Sequence, residues 1–117
     1  MRIAVMGAGG IGGFYGALLV RAGHEVTLIA RGAHLAAIRE HGLTLIDDRE
    51  TFTVRPALAT ADTAEAGREG PAELVLVTTK AYDLDAAARA LLPLVGQETL
   101  VLPLLNGVGI HQRLSGV

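Results

Sequence analysis

The sequence predicts a doubly wound α/β fold with a mainly parallel sheet. Residues 1–6 are a short apolar run that leads into a glycine-rich turn, and the residues after the turn have helical periodicity. A second apolar run follows at residues 24–30. Because only the turn and one helix connect the two runs, we expect them to be parallel neighbours in a βαβ unit. Half of the 117 residues are hydrophobic, as expected for a sheet covered on both faces.

Composition narrows the classes of function. A net charge of -2 does not attract polyanions such as nucleic acids, and 3% aromatic residues offer few side chains on which bases could stack. We therefore expect no nucleic-acid partner. The absence of cysteine excludes disulfides and thiolate metal sites, and it fits a reducing, cytoplasmic location. Residues 3–20 carry no charge, but their six glycines suit a turn and a packed helix rather than a membrane span, so no membrane partner is expected.

The glycine-rich turn has the spacing G-x-G-x-x-G between a strand and a helix. Its residues are Gly7, Ala8, Gly9, Gly10, Ile11 and Gly12. This pattern is typical of dinucleotide binding: the first glycine makes the turn, the second lets the pyrophosphate approach, and the third lets the helix pack closely. The alternative, a turn that only packs a helix on a sheet, explains Gly12 well but Gly7 and Gly9 poorly.

The first helix is predicted at residues 10–22, with Arg21 in its last turn and Gly23 as its C-cap. Helical spacing places five apolar residues on one stripe, which we interpret as core: Phe14, Tyr15, Leu18, Leu19 and Ala22.

Arg31 follows the second strand, 19 residues after Gly12. Folds of this kind that prefer NAD place an acidic residue near this position to bind the ribose 2′-hydroxyl, whereas an arginine accommodates the 2′-phosphate of NADP. Arg31 therefore favours NADP(H), with a solvated arginine before a helix as the alternative. A helix follows at residues 33–41, where His34 and His41 lack a third ligand, so no metal site is expected.

The rest of the chain predicts a hairpin insertion and three further parallel strands. The hairpin pairs residues 43–46 with 51–54, and an edge strand containing Pro56 follows at 54–59. Residues 60–73 predict a short solvated helix and a loop. The remaining elements are a buried strand at 74–79, a helix at 84–92 capped by Asp83 and closed by Pro93, a strand at 99–105, and a helical segment after Asn106. The expected fold is a Rossmann-type sheet with parallel strands in the order 3-2-1-4-5.

Ligands bind at the carboxyl ends of the strands in such sheets. Besides the glycine turn and Arg31, these ends carry Thr78, Thr79, Lys80 and Asn106. Lys80 offers a positive charge, and Asn106 offers both a donor and an acceptor. The alternatives are a surface lysine and an Asn-Gly turn residue.

Together these motifs resemble the amino-terminal domain of the ketopantoate reductase (2-dehydropantoate 2-reductase) family. The matching segments are M-G-A-G-G-I-G-G, A-G-H-E-V-T-L-I-A-R, V-T-T-K and L-N-G-V-G. The resemblance implies NADPH-dependent reduction of a 2-keto acid in pantothenate biosynthesis. It implies that Arg31 meets the 2′-phosphate and that Lys80 and Asn106 lie near the nicotinamide and the substrate.

The family also has a helical carboxyl-terminal domain that carries the lysine acting as general acid. The resemblance therefore implies that residues 1–117 are an NADP-binding domain within a longer enzyme and are inactive alone. Two alternatives remain: another NADP-linked reductase, such as a 3-hydroxy acid dehydrogenase, and a non-catalytic nucleotide-sensing module. We also expect self-association, because the strand at 99–105 forms an unprotected apolar edge in this strand order.

Overall fold

The computed structural model describes residues 1–7, 11–46, 48–78 and 84–104, with the backbone alone at 11, 84, 85 and 87. The strands are β1 (Arg2–Met6), β2 (Glu25–Ile29), β3 (Leu43–Ile46), β4 (Thr51–Val54), β5 (Leu58–Thr60), β6 (Leu74–Val77) and β7 (Leu100–Pro103). The helices are α1 (Ile11–Arg21), α2 (Gly32–His41), α3 (Thr63–Ala66) and α4 (Leu84–Ala90), followed by a 3-10 turn at Leu92–Leu94.

A parallel sheet with the order β5-β2-β1-β6-β7 forms the centre of the molecule. Counted among the parallel strands alone, this is the predicted order 3-2-1-4-5, and the fold class is confirmed. β3 and β4 pair antiparallel in a separate two-stranded sheet, which is the predicted hairpin insertion. β1 lies in the middle of the parallel sheet, with Val5 in register with Leu28 of β2 and with Leu76 of β6.

Both faces of the sheet are covered, because the side chains of β1 alternate between two hydrophobic clusters. Ile3 and Val5 pack in a cluster with residues of α1 and α2. Ala4 and Met6 pack in a second cluster, which includes Leu94 of the 3-10 turn. The high apolar content of the sequence is explained by this two-sided burial.

The buried face of α1 differs from the prediction. Phe14 and Tyr15 are 44% and 42% exposed and contact each other edge to face, with ring centroids 5.3 Å apart. Small residues are buried instead, among them Gly16 and Ala17. A Cβ added at Gly16 would lie 2.9 Å from Cδ2 of Leu28. The helix lies so close to the sheet that larger side chains do not fit, and the predicted core stripe is wrong at Phe14, Tyr15 and Ala22.

The hairpin packs against α1. Its inward side chains join the cluster that covers this face of the sheet: Leu43, Leu45, Phe52 and Val54. The guanidinium carbon of Arg21 lies 4.1 Å from the ring centroid of Phe52, and Arg21 also donates to the carboxylate of Glu50. The last turn of α1 is thus held against the hairpin by a cation–π contact and an ion pair.

The segment that returns from the hairpin is tied to the carboxyl end of α2. The guanidinium of Arg55 donates to the carbonyl oxygens of Arg39, at 3.1 Å, and Glu40, at 2.9 Å. Nε of Arg39 in turn donates to the carbonyl oxygen of Ala59 in β5, at 3.0 Å. The two bonds from Arg55 satisfy carbonyl groups at the end of α2 that lack partners within the helix, and the bond from Arg39 ties the same helix end to β5.

The third parallel strand begins later than predicted. It is an edge strand, as expected, but it comprises Leu58–Thr60 rather than residues 54–59. Val54 belongs to the hairpin, and Pro56, which has no N–H to donate to β2, precedes the strand. The amide of Ala57 makes the first bond to β2, at 2.9 Å from the carbonyl oxygen of Val26.

The remaining elements lie close to their predicted positions. The short helix is α3, where the carboxylate of Asp62 caps the amide of Ala64 at 2.9 Å. Pro93 falls in the 3-10 turn that follows α4. The proposed cap Asp83 and the segment after Asn106 lie outside the described residues. In the part of the chain that the structure describes, no helix is long and apolar enough to cross a membrane.

Candidate functional site

The carboxyl ends of three neighbouring strands meet at one edge of the sheet. Met6, the last residue of β1, is in register with Ile29 of β2 and with Val77 of β6. The residues that follow these strand ends are therefore neighbours in space. They include Gly7 and Thr78, and Arg31 lies one residue further along the chain.

Gly7 makes the turn that leaves β1. Its φ is 95°, in the region that glycine adopts readily and other residues rarely adopt. Its amide still bonds to β2, donating to the carbonyl oxygen of Ile29 at 3.0 Å. The chain thus leaves the sheet immediately after a strand-type hydrogen bond, and this abrupt change of direction requires glycine.

Gly12 lies in the first turn of α1, directly against this turn. A Cβ at position 12 would lie 1.8 Å from the carbonyl oxygen of Gly7 and 2.7 Å from Oγ1 of Thr78. Both distances are far below van der Waals contact. The backbone of Gly12 therefore contacts the carbonyl group of Gly7 directly, and no side chain separates the amino end of α1 from the end of β1.

Thr78 connects the end of β6 to the same turn. Its Oγ1 lies 2.8 Å from the carbonyl oxygen of Met6 and 2.6 Å from that of Gly7, and its amide donates to the Met6 oxygen at 2.9 Å. The sequence predicted Thr78 as a cofactor ligand. In the structure its hydroxyl donates to the backbone of the glycine turn.

The amino end of α1 is suited to bind an anion. The helix begins at Ile11, spans 11 residues and has no acidic residue in its first turn. The positive end of the helix dipole is therefore not neutralised by a side chain of that turn. Arg21, in the last turn, complements the opposite end of the dipole.

Arg31 is the N-cap residue of α2, with φ −149° and ψ 167°. Its side chain is exposed and makes no hydrogen bond or ion pair with any residue that the structure describes. The backbone of the preceding residue, Ala30, is held by a hydrogen bond from its N–H to the carbonyl oxygen of Thr60, at 3.0 Å. The backbone next to Arg31 is therefore held in place at the carboxyl end of β2, while its guanidinium has no partner among the described residues.

Thr60 is a site feature that the sequence reasoning missed. It was assigned to a solvated helix, but it ends β5 and is 2% exposed. Its Oγ1 accepts the amide of Asp62 at 3.1 Å while its carbonyl accepts the amide of Ala30. The spacing Thr-x-Asp before a helix was the available signal, since threonine often bonds to the backbone two residues on.

The structure brings together Gly7, Gly12 and Thr78 at the amino end of α1, which begins at Ile11, and it places Arg31 after the neighbouring end of β2. The other predicted site residues lie outside the described residues: Ala8, Gly9, Gly10, Thr79, Lys80 and Asn106. His34 and His41 are exposed on α2. Within the described ranges, no three His, Cys, Asp or Glu side chains are grouped so that they could hold a metal ion.

Comparison with known proteins gives one consistent family. Residues 3–117 match the family model described as ketopantoate reductase PanE/ApbA. A 2-dehydropantoate 2-reductase of Mesorhizobium japonicum is 40% identical over 109 residues, which are 92% of this chain and 32% of that protein. The chain spans about a third of the length of the curated relatives it matches.

Solved structures agree with this result. The 2-dehydropantoate 2-reductase of Porphyromonas gingivalis W83 superposes with a TM-score of 0.84 at 43% identity, covering 97% of this chain and 41% of that one. A D-mandelate dehydrogenase in a ternary structure with NADH and anilino(oxo)acetate gives 0.80 at 32% identity, covering 99% and 37%.

We predict that Gly12→Ala destabilises the protein more than Gly16→Ala does. The new methyl group at position 12 meets a backbone carbonyl that cannot move without breaking the turn, at a cost of about 3 kcal/mol or more. At position 16 it meets the end of a flexible leucine side chain, and a helix-propensity gain of about 1 kcal/mol offsets the crowding. Urea unfolding of both variants measures the difference. Equal free energies of unfolding would contradict the proposed backbone contact.

Proposed function

Because this chain belongs to the ketopantoate reductase family, we propose that it is the NADP(H)-binding domain of an oxidoreductase that reduces 2-dehydropantoate to pantoate in pantothenate biosynthesis. One observation carries the proposal. Arg31, whose guanidinium has no partner among the described residues, stands at the end of β2, and the neighbouring strand β1 leads through Gly7 to Gly12, where a Cβ would not fit. The family resemblance also implies a cytoplasmic enzyme.

The β1–α1 turn would hold the pyrophosphate. Gly7 gives the turn its positive φ, and the amino end of α1 offers backbone N–H groups and a positive dipole end. Because Gly12 has no Cβ, this end of the helix can lie directly against the end of β1. Backbone donors of this kind bind phosphate oxygens whatever the nucleotide, so the turn supports dinucleotide binding but does not choose between NAD and NADP.

Arg31 would make that choice. Guanidinium groups bind phosphate through paired, charge-assisted hydrogen bonds, and those to charged groups are worth about 1.5 to 3 kcal/mol each. The guanidinium has no partner to give up within the described residues. The segment Ala30-Arg31-Gly32 contains no carboxylate to bind a ribose 2′-hydroxyl.

For the chemical step we propose roles for Lys80 and Asn106 on the family resemblance alone. When bound, NADPH supplies the hydride that reduces the keto carbonyl. Lys80 would attract the carboxylate of the 2-keto acid, and Asn106 would orient an amide or hydroxyl group near the nicotinamide. The proton donor, by the same resemblance, is a lysine of a second, helical domain.

A second candidate is an NADH-linked dehydrogenase of other 2-hydroxy acids. It is favoured by the similarity to a D-mandelate dehydrogenase whose structure contains NADH and anilino(oxo)acetate. Arg31 argues for NADP(H), and the cofactor preference of the protein therefore distinguishes the two candidates.

We predict that the chain prefers NADPH to NADH and that Arg31→Ala removes most of this preference. Loss of one charge-assisted bond should weaken NADPH binding by about 10- to 100-fold, while NADH binding changes little. Isothermal titration calorimetry measures both affinities.

Arg68→Ala is the matched control for this test. Arg68 is also exposed, but it neighbours Glu69, whose carbonyl oxygen accepts Nη1 of Arg2 at the amino end of β1. Its loss should not alter the preference. Equal affinity of the unmodified chain for the two cofactors, or a preference that survives Arg31→Ala, would refute the assignment.

We predict that the 117-residue chain binds NADPH without reducing ketopantoate, because the proposed proton donor is not among these residues. The loss of NADPH absorbance after ketopantoate is added measures turnover, with a full-length family member as the positive control. A rate near that of the full-length enzyme would show that catalysis needs no second domain.

We also propose that the chain self-associates through the edge of β7. This strand ends the parallel sheet within the described residues, and Leu100, Val101 and Leu102 are exposed. The amides of Leu100 and Leu104 bond to the β6 side. By alternation, the N–H and C=O of Val101 face the open edge. Pro103, which also faces outward, has no N–H, as is typical of edge strands.

We predict dimers or larger species of the 117-residue chain in sedimentation velocity, and monomers after Val101→Lys. A lysine on an edge strand opposes pairing with a second strand. Ile46→Lys is the control, because Ile46 is equally apolar and 78% exposed but lies on the hairpin. A monomeric sedimentation profile of the unmodified chain would contradict the proposal.

A further inference from the structure

The hydroxyl of Thr78 lies between two consecutive carbonyl oxygens of the β1–α1 turn. Its distances to them are 2.8 Å at Met6 and 2.6 Å at Gly7. Carbonyl oxygens only accept hydrogen bonds, and a hydroxyl has a single proton to donate. The proton of Thr78 is therefore shared between these two oxygens and is not free to bind a ligand.

The carbonyl oxygen of Gly7 lies close to both Thr78 and Gly12. Oγ1 of Thr78 is 2.6 Å from it, and the backbone of Gly12 is so close that a Cβ there would lie 1.8 Å from the oxygen. The oxygen is thus directed toward the first turn of α1 and toward the residue that follows β6. The backbone conformation at this position is the left-handed one of Gly7, with φ at 95°.

The direction of this carbonyl matters for an anion site. A carbonyl oxygen carries partial negative charge and repels a phosphate, whereas N–H groups attract it. A turn that binds pyrophosphate must present its N–H groups and keep its carbonyl oxygens away from the ligand. Because glycine allows many backbone conformations, Gly7 does not fix this direction by itself.

We propose that Thr78 is a positioning residue for dinucleotide binding: its hydroxyl holds the Gly7 carbonyl inward, so that the turn presents donors and not acceptors to the pyrophosphate. This inference rests on the proposed function. It assigns Thr78 an action through the turn rather than direct contact with the cofactor. The β1–β6 register, with Met6 opposite Val77, places the hydroxyl next to the turn.

Thr78→Val and Thr78→Ser test the inference. Valine keeps the shape of the side chain but leaves both carbonyl oxygens without the hydroxyl, and serine restores it. We expect Thr78→Val to bind NADPH about tenfold more weakly than the unmodified chain, and Thr78→Ser to bind within about twofold of it. Thr44→Val is the matched control, because among the described residues the Thr44 hydroxyl bonds only to that of Thr53 on the hairpin, at 2.8 Å.

A second ligand separates a positioning role from general loss of structure. Adenosine 2′-monophosphate offers the 2′-phosphate proposed for Arg31 but has no pyrophosphate. Its affinity, followed by NMR titration, should be the same in Thr78→Val as in the unmodified chain. An equal loss of affinity for both ligands would overturn the positioning role, as would unchanged NADPH binding in Thr78→Val.

Amide hydrogen exchange makes the test independent of the proposed function. In Thr78→Val, the amide of Gly7, which bonds to the carbonyl oxygen of Ile29, should exchange several-fold faster, with no change in the β2–β5 pairing. If the unmodified chain bound no NADPH, the proposed function would fail, and the exchange measurement would still show whether Thr78 holds the turn. Unchanged exchange at Gly7 would overturn that role of Thr78.

Discussion

The structure depends on one contact between backbone groups, the carbonyl of Gly7 against the main chain of Gly12. With no room for a Cβ, α1 is pressed onto the end of β1, and Gly16 continues this close approach over Leu28. The rest of that face follows from the position of α1. Its bulky residues Phe14 and Tyr15 are turned outward, and the hairpin packs along its flank. The atoms that fix the core also shape the candidate nucleotide site.

Much of the fold could be predicted because local signals agreed with one another. The hairpin strands lie where they were expected, since two short β-prone runs flank a charged turn. The parallel pairing of the first two strands followed from the short crossover between them, and the order 3-2-1-4-5 is that of the Rossmann-type fold indicated by the glycine turn. The third parallel strand was misplaced because Pro56 was taken as part of an edge strand, whereas pairing begins only after it, at Ala57.

The buried face of α1 was missed for a different reason. Helical periodicity shows which residues share a face, but it does not show which face meets the sheet. Large apolar residues favoured the side with Phe14 and Tyr15, yet the face closest to the sheet carries the small residues Gly16 and Ala17, because α1 approaches Leu28 closely there. The spacing of Gly12 and Gly16, four residues apart, was the signal that could have corrected the prediction.

At the candidate site, the strand-end rule correctly placed the backbone of Gly7 and Thr78 at one edge of the sheet. It did not reveal what the Thr78 hydroxyl bonds to, because that depends on the register of β1 against β6, and register is a tertiary property. Thr60 was missed for a related reason. The Thr-x-Asp spacing indicates the bond from the Asp62 amide to the Thr60 hydroxyl, but the burial of Thr60 depends on β5 pairing with β2, which is a tertiary contact.

The bonds at the carboxyl end of α2 have a consequence at its other end. Arg39 and Arg55 fasten that end to β5 and to the segment leaving the hairpin, and the ten-residue helix transmits this attachment over about 15 Å to Arg31. If Arg31 selects the nucleotide as proposed above, these bonds contribute to that selection from the far end of α2, because they hold the helix that begins at Arg31 in place.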